Sequence, residues 1–491
     1  MKRLMKNQVQ LIAYVDRLSG GDFSALDALL TGPLARIFGG AHLLPFFFPI
    51  DGADAGFDPI DHTRVDPHLG TWTDVNHLSS SLDLMVDLIV NHVSAASPQF
   101  QDFSRRGAES PYAGMFLTLG RVFPQGATEA DLLRIYRPRP GLPFFSATLE
   151  NGEKKLLWTT FTPQQLDIDV TDPQGRQYLS AILDQFRAAG IRAIRLDAAG
   201  YAIKKPGTSC FMIPETFAFI HDLAAQARSL NMEVLVEIHS YYKKQVEIAR
   251  QVDWVYDFAL PPLVLHALYQ ADAEPLLQWL SIRPRNSVTV LDTHDGIGVI
   301  DVGADSDGSP GLLSPAQIHD LVETIHLRSN GQSKLATGAA ANNLDLYQVN
   351  CTYFDALGRD ETRYLIARAL QFFIPGIPQV YYVGLLGGTN DMDLLARTAV
   401  GRDINRHYYT REEIQSCLET AMVKRLIELI RLRNSHPAFG GECAIASEGR
   451  DKIAIQWKLE NQWAKLQVDL AAARATIEYT RGNDRSIISI E

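Results

Sequence analysis

Eight short apolar runs, spaced along the chain with helix-like segments between them, constrain the fold more than any other feature. They are VQLIAYVD (9–16), AHLLPFF (41–47), LMVDLIVNH (84–92), IRAIRLDAAG (191–200), EVLVEIHS (233–240), WVYDFALP (254–261), SVTVLDTHD (287–295) and PQVYYVG (378–384). Continuous runs rich in β-branched residues, alternating with amphipathic helices, read as parallel strands buried on both faces. Eight of them predict an α/β fold, a (β/α)8 TIM barrel, whose sites lie at the C-terminal ends of its strands. Polar residues collect at those ends: Asp16, His92, Asp197, Glu237 and Asp295.

The chain has 491 residues, far more than the ~250 of a bare barrel. Two gaps between runs are too long for a simple strand–helix unit. Residues 1–92 are expected to start the barrel, and residues 93–176, rich in Gly, Pro and Phe, to form an inserted subdomain. The barrel resumes over 177–295, is interrupted by a second insertion at 296–350, and finishes over 351–436. The second insertion contains a helix from about Pro315 to Arg328. TREE (410–413) is a capping box that opens a long helix reaching about Arg433. After HPAFGG the pattern turns to alternating segments, KIAIQWKL, NQWAKLQVDL and RATIEYT, so residues 437–491 are expected to be a small antiparallel β domain.

Composition narrows the partners. Hydrophobic residues make up 46% and charged residues 21%, as in a globular protein, and the formal charge is −11. That charge disfavours nucleic acid or an anionic membrane as partner, and an anionic substrate would need a local basic pocket. Cys210, Cys351, Cys417 and Cys443 have no zinc-type spacing, and their scatter suits a reducing compartment. The N-terminal apolar stretch is about six residues, too short for the ~7–15 of a secretion signal. The most apolar stretch, 369–388, is split by Pro375 and Pro378 and reads as a helix end and a buried strand rather than a membrane span. A cytoplasmic protein, monomer or homodimer, is expected.

The strand-end acids carry the chemistry. In IRLDAAGY, Arg195 and Asp197 are two apart and share one face of a strand. Asp197, Glu237 and Asp295 are separated by 40 and 58 residues, which puts them on strands 4, 5 and 7 of one rim. Crowded carboxylates repel unless they do different work. Arg195 is expected to depress Asp197 and keep it a ready nucleophile, while apolar surroundings raise Glu237 into a proton donor. Asp295 is left to stabilise positive charge at a sugar carbon. This is the division of labour in retaining glycosyl transfer, with nucleophile and acid/base roughly 5–5.5 Å apart. Any one of these acids alone reads equally as a structural ion pair or helix cap; three in barrel register favour catalysis.

DLIVNH, IRLDAAGY, EIHSYYKK and LDTHDG resemble the four ordered signature regions of the α-amylase-like glycoside hydrolases. Within that group, DGADAGFDPIDHT (51–63), IYRPRPGLPF (135–144), FTPQQLDID (161–169), SYYKKQVEIA (240–249), VYDFALPPL (255–263), ATGAAANNLDLYQVN (336–350), PQVYYVG and GRDINRHYY (401–409) resemble the sucrose phosphorylase family. The likeness runs to about residue 435; the tail shows none.

The resemblance implies Asp197 as nucleophile, Glu237 as acid/base and Asp295 as transition-state stabiliser. The reaction implied is sucrose plus inorganic phosphate giving α-glucose 1-phosphate and fructose, reversibly, through a covalent glucosyl-enzyme. Glucose hydroxyls would meet Asp54, His92, Arg195, His294 and Arg402, with Asp54 and Arg402 pairing to close the pocket. Phe57 and Phe161 would be its apolar walls and Gln165 a further substrate contact. Arg139, Tyr201 and Tyr347 would contact phosphate; Tyr136, Asp345 and Gln348 would face fructose. Two loops carrying these residues would swing so that one site serves both acceptors. The histidines also read as internally satisfied core residues, the phenylalanines as packing, and ATGAAANN as a tight turn. No cofactor or metal is expected, since no oxygen-rich calcium cage is visible in the inserted segment. Phosphorolysis of sucrose 6-phosphate, glucosylglycerate or glucosylglycerol is the nearest alternative, then a hydrolytic α-glucosidase, then a non-catalytic barrel.

Overall fold

Each of the eight apolar runs forms a parallel strand, and the strands close on one another. The computed structural model describes residues 5–491 apart from 53, 137–140, 306, 338–347 and 483. The barrel strands are β1 (Gln10–Ala13), β2 (Gly40–Leu43), β3 (Asp83–Ile89), β4 (Ala193–Asp197), β5 (Glu233–Val236), β6 (Trp254–Asp257), β7 (Ser287–Thr289) and β8 (Ile377–Tyr381). β1 pairs in parallel with both β2 and β8, which closes the ring. β4 and β5 are buried at every position, so even the polar Arg195 and Asp197 of β4 lie inside the barrel. The registers align Asp197 with Ile89 of β3 and Leu196 with Val236 of β5. Asp197 therefore ends its strand beside the point where Glu237 leaves the next one.

The long connections fold back onto this rim. Between β3 and β4, His92–Ser94 pairs antiparallel with Gln165–Asp167, and Phe144–Thr148 pairs with Lys154–Trp158. The helix that returns the chain to β4 runs Pro173–Ala188, with Asp172 capping it, so it straddles the boundary expected at 176. After β7, Ile297–Gly298 pairs antiparallel with Gln348–Val349, which brings Gln348 back towards Asp295. The helix Pro315–Arg328 forms where the sequence placed it, opened by a Ser314–Gln317 capping box.

The single long helix expected from 410 to about 433 is corrected to two, Arg411–Glu419 and Ala421–Ser435. Thr420 breaks it, with φ −66° and ψ 148°. Its hydroxyl donates to Cys417 O at 2.7 Å and accepts from the Val423 N–H, so one side chain ends the first helix and caps the second. Five antiparallel strands follow: β9 (Glu442–Ser447), β10 (Lys452–Leu459), β11 (Gln462–Asp469), β12 (Arg474–Arg481) and β13 (Asp484–Ile490). The middle three match the alternating segments of the sequence. Trp457 of β10 donates from Nε1 to Phe373 O at 2.6 Å and ties this sheet to the barrel helix Glu361–Phe373.

Lys204 fastens the first insertion to the barrel. Its side chain is 1% exposed, and its ammonium sits 2.7 Å from Asp167 Oδ2 and 2.8 Å from Asn91 Oδ1, with Tyr201 O as a third, very close acceptor. Asp167 belongs to the inserted ribbon, Asn91 follows β3 and Tyr201 follows β4, so one cation joins three segments at the rim. Asp167 also accepts from the Thr160 N–H at 2.9 Å and the Thr160 hydroxyl at 2.5 Å. Removing one partner of a buried ion pair leaves the other charge uncompensated and costs about 3–5 kcal/mol. Lys204→Met is expected to lose that much in equilibrium urea unfolding; a loss under about 1 kcal/mol would contradict this anchoring role.

Candidate active site

The site begins inside the barrel. Side chains alternate along a strand, so Arg195 and Asp197 of β4 both point inward, and the register sets Arg195 opposite Asp87 of β3. The Arg195 guanidinium, 2% exposed, serves three carboxylates. One terminal nitrogen lies against Asp87 and 3.0 Å from Asp197 Oδ1; the other lies 3.0 Å from Glu237 Oε1. Asp87 is braced from behind by His42 Nε2 at 3.1 Å. Burial alone would raise the Asp87 carboxyl, but Arg195 and His42 overcome it and hold it at about 2. Immediately after Asp197 the chain turns through Ala198 at φ 55°, then enters the short turn Ala199–Tyr201. Gly200 is needed there, because a Cβ would lie 2.7 Å from the Phe211 ring.

Asp197 does not behave as expected. Arg195 should have held it ionised; instead its carboxyl is pushed well above the usual range. Burial is the largest cause and outweighs the pull of Arg195, while the charges on Glu237, Asp87 and Asp295 push the same way. One guanidinium shared among three carboxylates cannot neutralise them all, and the Asp197 carboxyl is the one driven upward. Asp295 is the contrasting case. Burial again works to raise it, but Arg402 Nη1 at 2.8 Å and Arg406 beyond it hold it far below the usual range. Its loop is fixed by Asn405 Nδ2 donating to Thr293 O at 2.8 Å and by Arg406 Nε donating to His294 O at 2.8 Å.

These groups line a cavity of about 160 Å³ at the C-terminal end of the barrel. Asp197, Glu237 and Asp295 share it with Asp54, Phe57, His92, Phe161 and Gln165 from one side. Of the other expected residues, Tyr201, His294, Gln348 and Arg402 also line it, while Arg195 and Tyr136 do not. Arg195 lies beneath the floor, 5.6 Å from the Phe57 ring centre. Phe57 stacks on His294 at 4.8 Å and 10°, and Phe161 meets His92 and Tyr201 edge-on, both at 5.3 Å. Tyr136 stands behind the lining, stacked on Phe211 at 4.5 Å. Gln165 Nε2 is 3.3 Å from Asp54 Oδ2 and 3.2 Å from His92 Nε2. The expected Asp54–Arg402 closure gives way to other contacts: Asp54 to Gln165, and Arg402 to Asp295 and to Gln348 Oε1 at 3.4 Å. Arg139, Asp345 and Tyr347 lie outside the described residues.

Three neighbours escaped the sequence reading. Asp87 was legible as the one charge in the middle of LMVDLIV, where alternation turns it inward with Arg195. His239, two residues past Glu237, and Phe211, which backs Tyr201 at 4.7 Å, carried no comparable signal. Glu237, His239 and Asp295 bring donor atoms within 4.8 Å of one another. Arg195 and Arg402 hold the two carboxylates, and Asp301 holds the imidazole Nδ1 at 2.9 Å, so both carboxylates of this set are committed to protein cations. Where oxygens do converge at the rim, from Asp167, Asn91 and Tyr201, the Lys204 ammonium is the cation they hold.

Residues 38–261 match the family model of the α-amylase catalytic domain. A sucrose phosphorylase of Agrobacterium vitis is 64% identical over 96% of this chain and 97% of its own. One from Bifidobacterium adolescentis is 54% identical over 94% and 92%. The crystal structure of sucrose 6F-phosphate phosphorylase from Thermoanaerobacter thermosaccharolyticum superposes with a TM-score of 0.92 at 39% identity, covering 99% of this chain and 98% of that one. Near-complete coverage at such identity, on a closed barrel with a carboxylate-lined pocket, makes the chain a member of the sucrose phosphorylase family of α-amylase-type enzymes.

Proposed function

We propose that this chain is a sucrose phosphorylase, converting sucrose and inorganic phosphate to α-glucose 1-phosphate and fructose by a retaining double displacement. The observation that carries this reading is the pair of carboxylates, Asp197 and Glu237, each 3.0 Å from a different nitrogen of one buried guanidinium and both lining a cavity of about 160 Å³. Asp197 attacks glucose C1 while Glu237 gives its proton to the departing fructosyl oxygen. The C1–O bond to fructose breaks and a β-linked glucosyl ester on Asp197 forms. Phosphate then attacks C1 and yields its proton to Glu237, the C1–ester bond breaks to free the Asp197 carboxylate, and the second inversion restores the α configuration. Asp295, held ionised by Arg402, lies where positive charge develops at C1. Double displacement requires Asp197 to attack as the carboxylate while Glu237 serves as the acid. Tyr201 on the lining, with Arg139 and Tyr347, is assigned to phosphate; Tyr136, Asp345 and Gln348 are assigned to fructose. Asp54, His92, His294 and Arg402 would take the glucose hydroxyls between the Phe57 and Phe161 rings. The four cysteines are all free, which supports a reducing, cytoplasmic setting. No helix among the described residues is long and apolar enough to cross a membrane.

The direct test mixes enzyme, sucrose and phosphate and assays glucose 1-phosphate against free glucose. Glucose 1-phosphate and fructose in equal amounts are expected; glucose alone would refute phosphorolysis.

The raised Asp197 carboxyl makes a second prediction. A buried acid whose value is raised in the folded state adds stability below its unfolded value and loses it as pH rises through the folded one, so ionised Asp197 is a burden at neutral pH. Asp197→Asn is expected to lower turnover by roughly four orders of magnitude while stabilising the fold by about 1–2 kcal/mol. Calorimetry at pH 7 checks this, and a destabilised variant would contradict it. A third prediction concerns Glu237→Gln assayed with α-glucosyl fluoride, a donor that needs no proton. Removing a negative neighbour lets Asp197 stay ionised in more acid solution, so the acid limb of the rate profile should move to lower pH; an unmoved limb would count against the coupling.

A further inference from the structure

Asp295 faces two arginines that are held very differently. Arg402 Nη1 lies 2.8 Å from Asp295 Oδ1, yet its side chain is 34% exposed and comes from the turn Gly401–Asn405, where it lines the cavity. Arg406 directly follows that turn and is 1% exposed, with Nη2 3.9 Å from the same oxygen. Its Nε donates to His294 O at 2.8 Å, and its own carbonyl accepts from Arg17 Nη1 at 3.1 Å. Its Nη1 stands 3.9 Å from Asp403 Oδ1. Nη2 is buried and makes no hydrogen bond among the described residues. One guanidinium is therefore fixed to the loop that carries Asp295, with an unused donor beside the carboxylate. The other reaches in from the rim.

We propose that Arg406 is a positioning residue, the countercharge that Asp295 keeps when a bound sugar draws Arg402 away. This rests on the phosphorylase reading, in which Arg402 takes glucose hydroxyls. Donors that turn to the sugar are lost to Asp295, and a neutral sugar brings no charge in exchange. Asp295 must still be an anion at that moment, because it faces the positive charge developing at C1. The groups around it leave few sources of compensation. On the negative side are Asp197 and Glu237, with Asp54 in the same cavity and the Tyr14 phenol near by. On the positive side, besides the two arginines, are only His294 and His239. Burial lowers His294 well below its ordinary value, so it stays neutral, and His239 is paired with Asp301 at 2.9 Å. Burial works to raise Asp295, and Arg402 is the strongest influence against it. Asp197 shows where a carboxyl goes in this cluster when cations fall short: well above the usual range.

The test records pH profiles with sucrose varied at saturating phosphate, for wild type, Arg406→Gln, Arg406→Lys and Arg402→Met. The ratio kcat/KM reports the free enzyme, where Arg402 holds Asp295; kcat reports the sugar-bound enzyme, where Arg406 does. Losing the cation raises the acid, so the acid limb of kcat in Arg406→Gln is expected to move about one unit to higher pH. The limb of kcat/KM should stay in place, and Arg406→Lys, which keeps the charge, should return most of the shift. A kcat limb that stays put in Arg406→Gln, that moves together with the kcat/KM limb, or that Arg406→Lys does not bring back would overturn the proposal. Arg402→Met is expected to raise the KM for sucrose about tenfold with the kcat limb unmoved. Should Arg406→Gln fail to fold, this variant decides: a kcat limb displaced to higher pH would show that sugar-bound Asp295 still depends on Arg402. Release of glucose 1-phosphate by the wild type tests the phosphorylase reading separately, and the arginine comparison reads the donor step whichever product appears.

Discussion

One buried guanidinium shared by three carboxylates organises this molecule. Arg195 is held between Asp87 on one strand and Asp197 and Glu237 at the ends of its own strand and the next. The barrel makes this arrangement possible, because parallel register sets residues of neighbouring strands side by side at one level. The same arrangement carries an electrostatic cost. Three anions around one cation leave a deficit of positive charge in a low-dielectric interior, which drives the Asp197 carboxyl upward. A mechanism that needs one carboxylate ionised and its neighbour protonated exploits that deficit. Arg402 and Arg406 hold the third acid, Asp295, ionised.

The insertions complete what the barrel starts. Lys204 clamps the ribbon His92–Ser94 with Gln165–Asp167 to the rim, and the ribbon supplies His92 and Gln165 to the cavity wall. The pairing of Ile297–Gly298 with Gln348–Val349 does the same on the far side, carrying Gln348 to Arg402 and His239. Both devices are short antiparallel ribbons fastened by buried polar contacts. The wall they build is therefore set by a few named side chains, while the acids rest on the more extensive packing of the barrel.

Much of this was legible in the sequence because buried parallel strands leave an uninterrupted apolar trace and place polar residues at one end. Asp197, Glu237 and Asp295 stood out against such runs, and the structure brings them to one cavity. What was lost was non-local. Sequence spacing pairs Arg195 only with Asp197 two residues away; its division among Asp87, Asp197 and Glu237 exists only in the fold and reverses the expected shift of Asp197. His239 looked like one more polar residue after a strand until Asp301, far along the chain, was folded against it. The helix break at Thr420 escaped because TREE and the apolar spacing on either side share one period, and a threonine that can end and cap helices differs little in sequence from one on a helix surface. Edge strands β9 and β13 alternate too weakly to separate from loops.

Everything proposed for the chemistry rests on Asp197 accepting the sugar. The most direct measurement stalls turnover with a 2-fluoro-2-deoxy-α-glucosyl donor and maps the labelled peptide by mass spectrometry. The account predicts one fluoroglucosyl group, attached to Asp197 in the peptide that follows Leu196. A label on another residue, or none after the donor has released its leaving group, would contradict it.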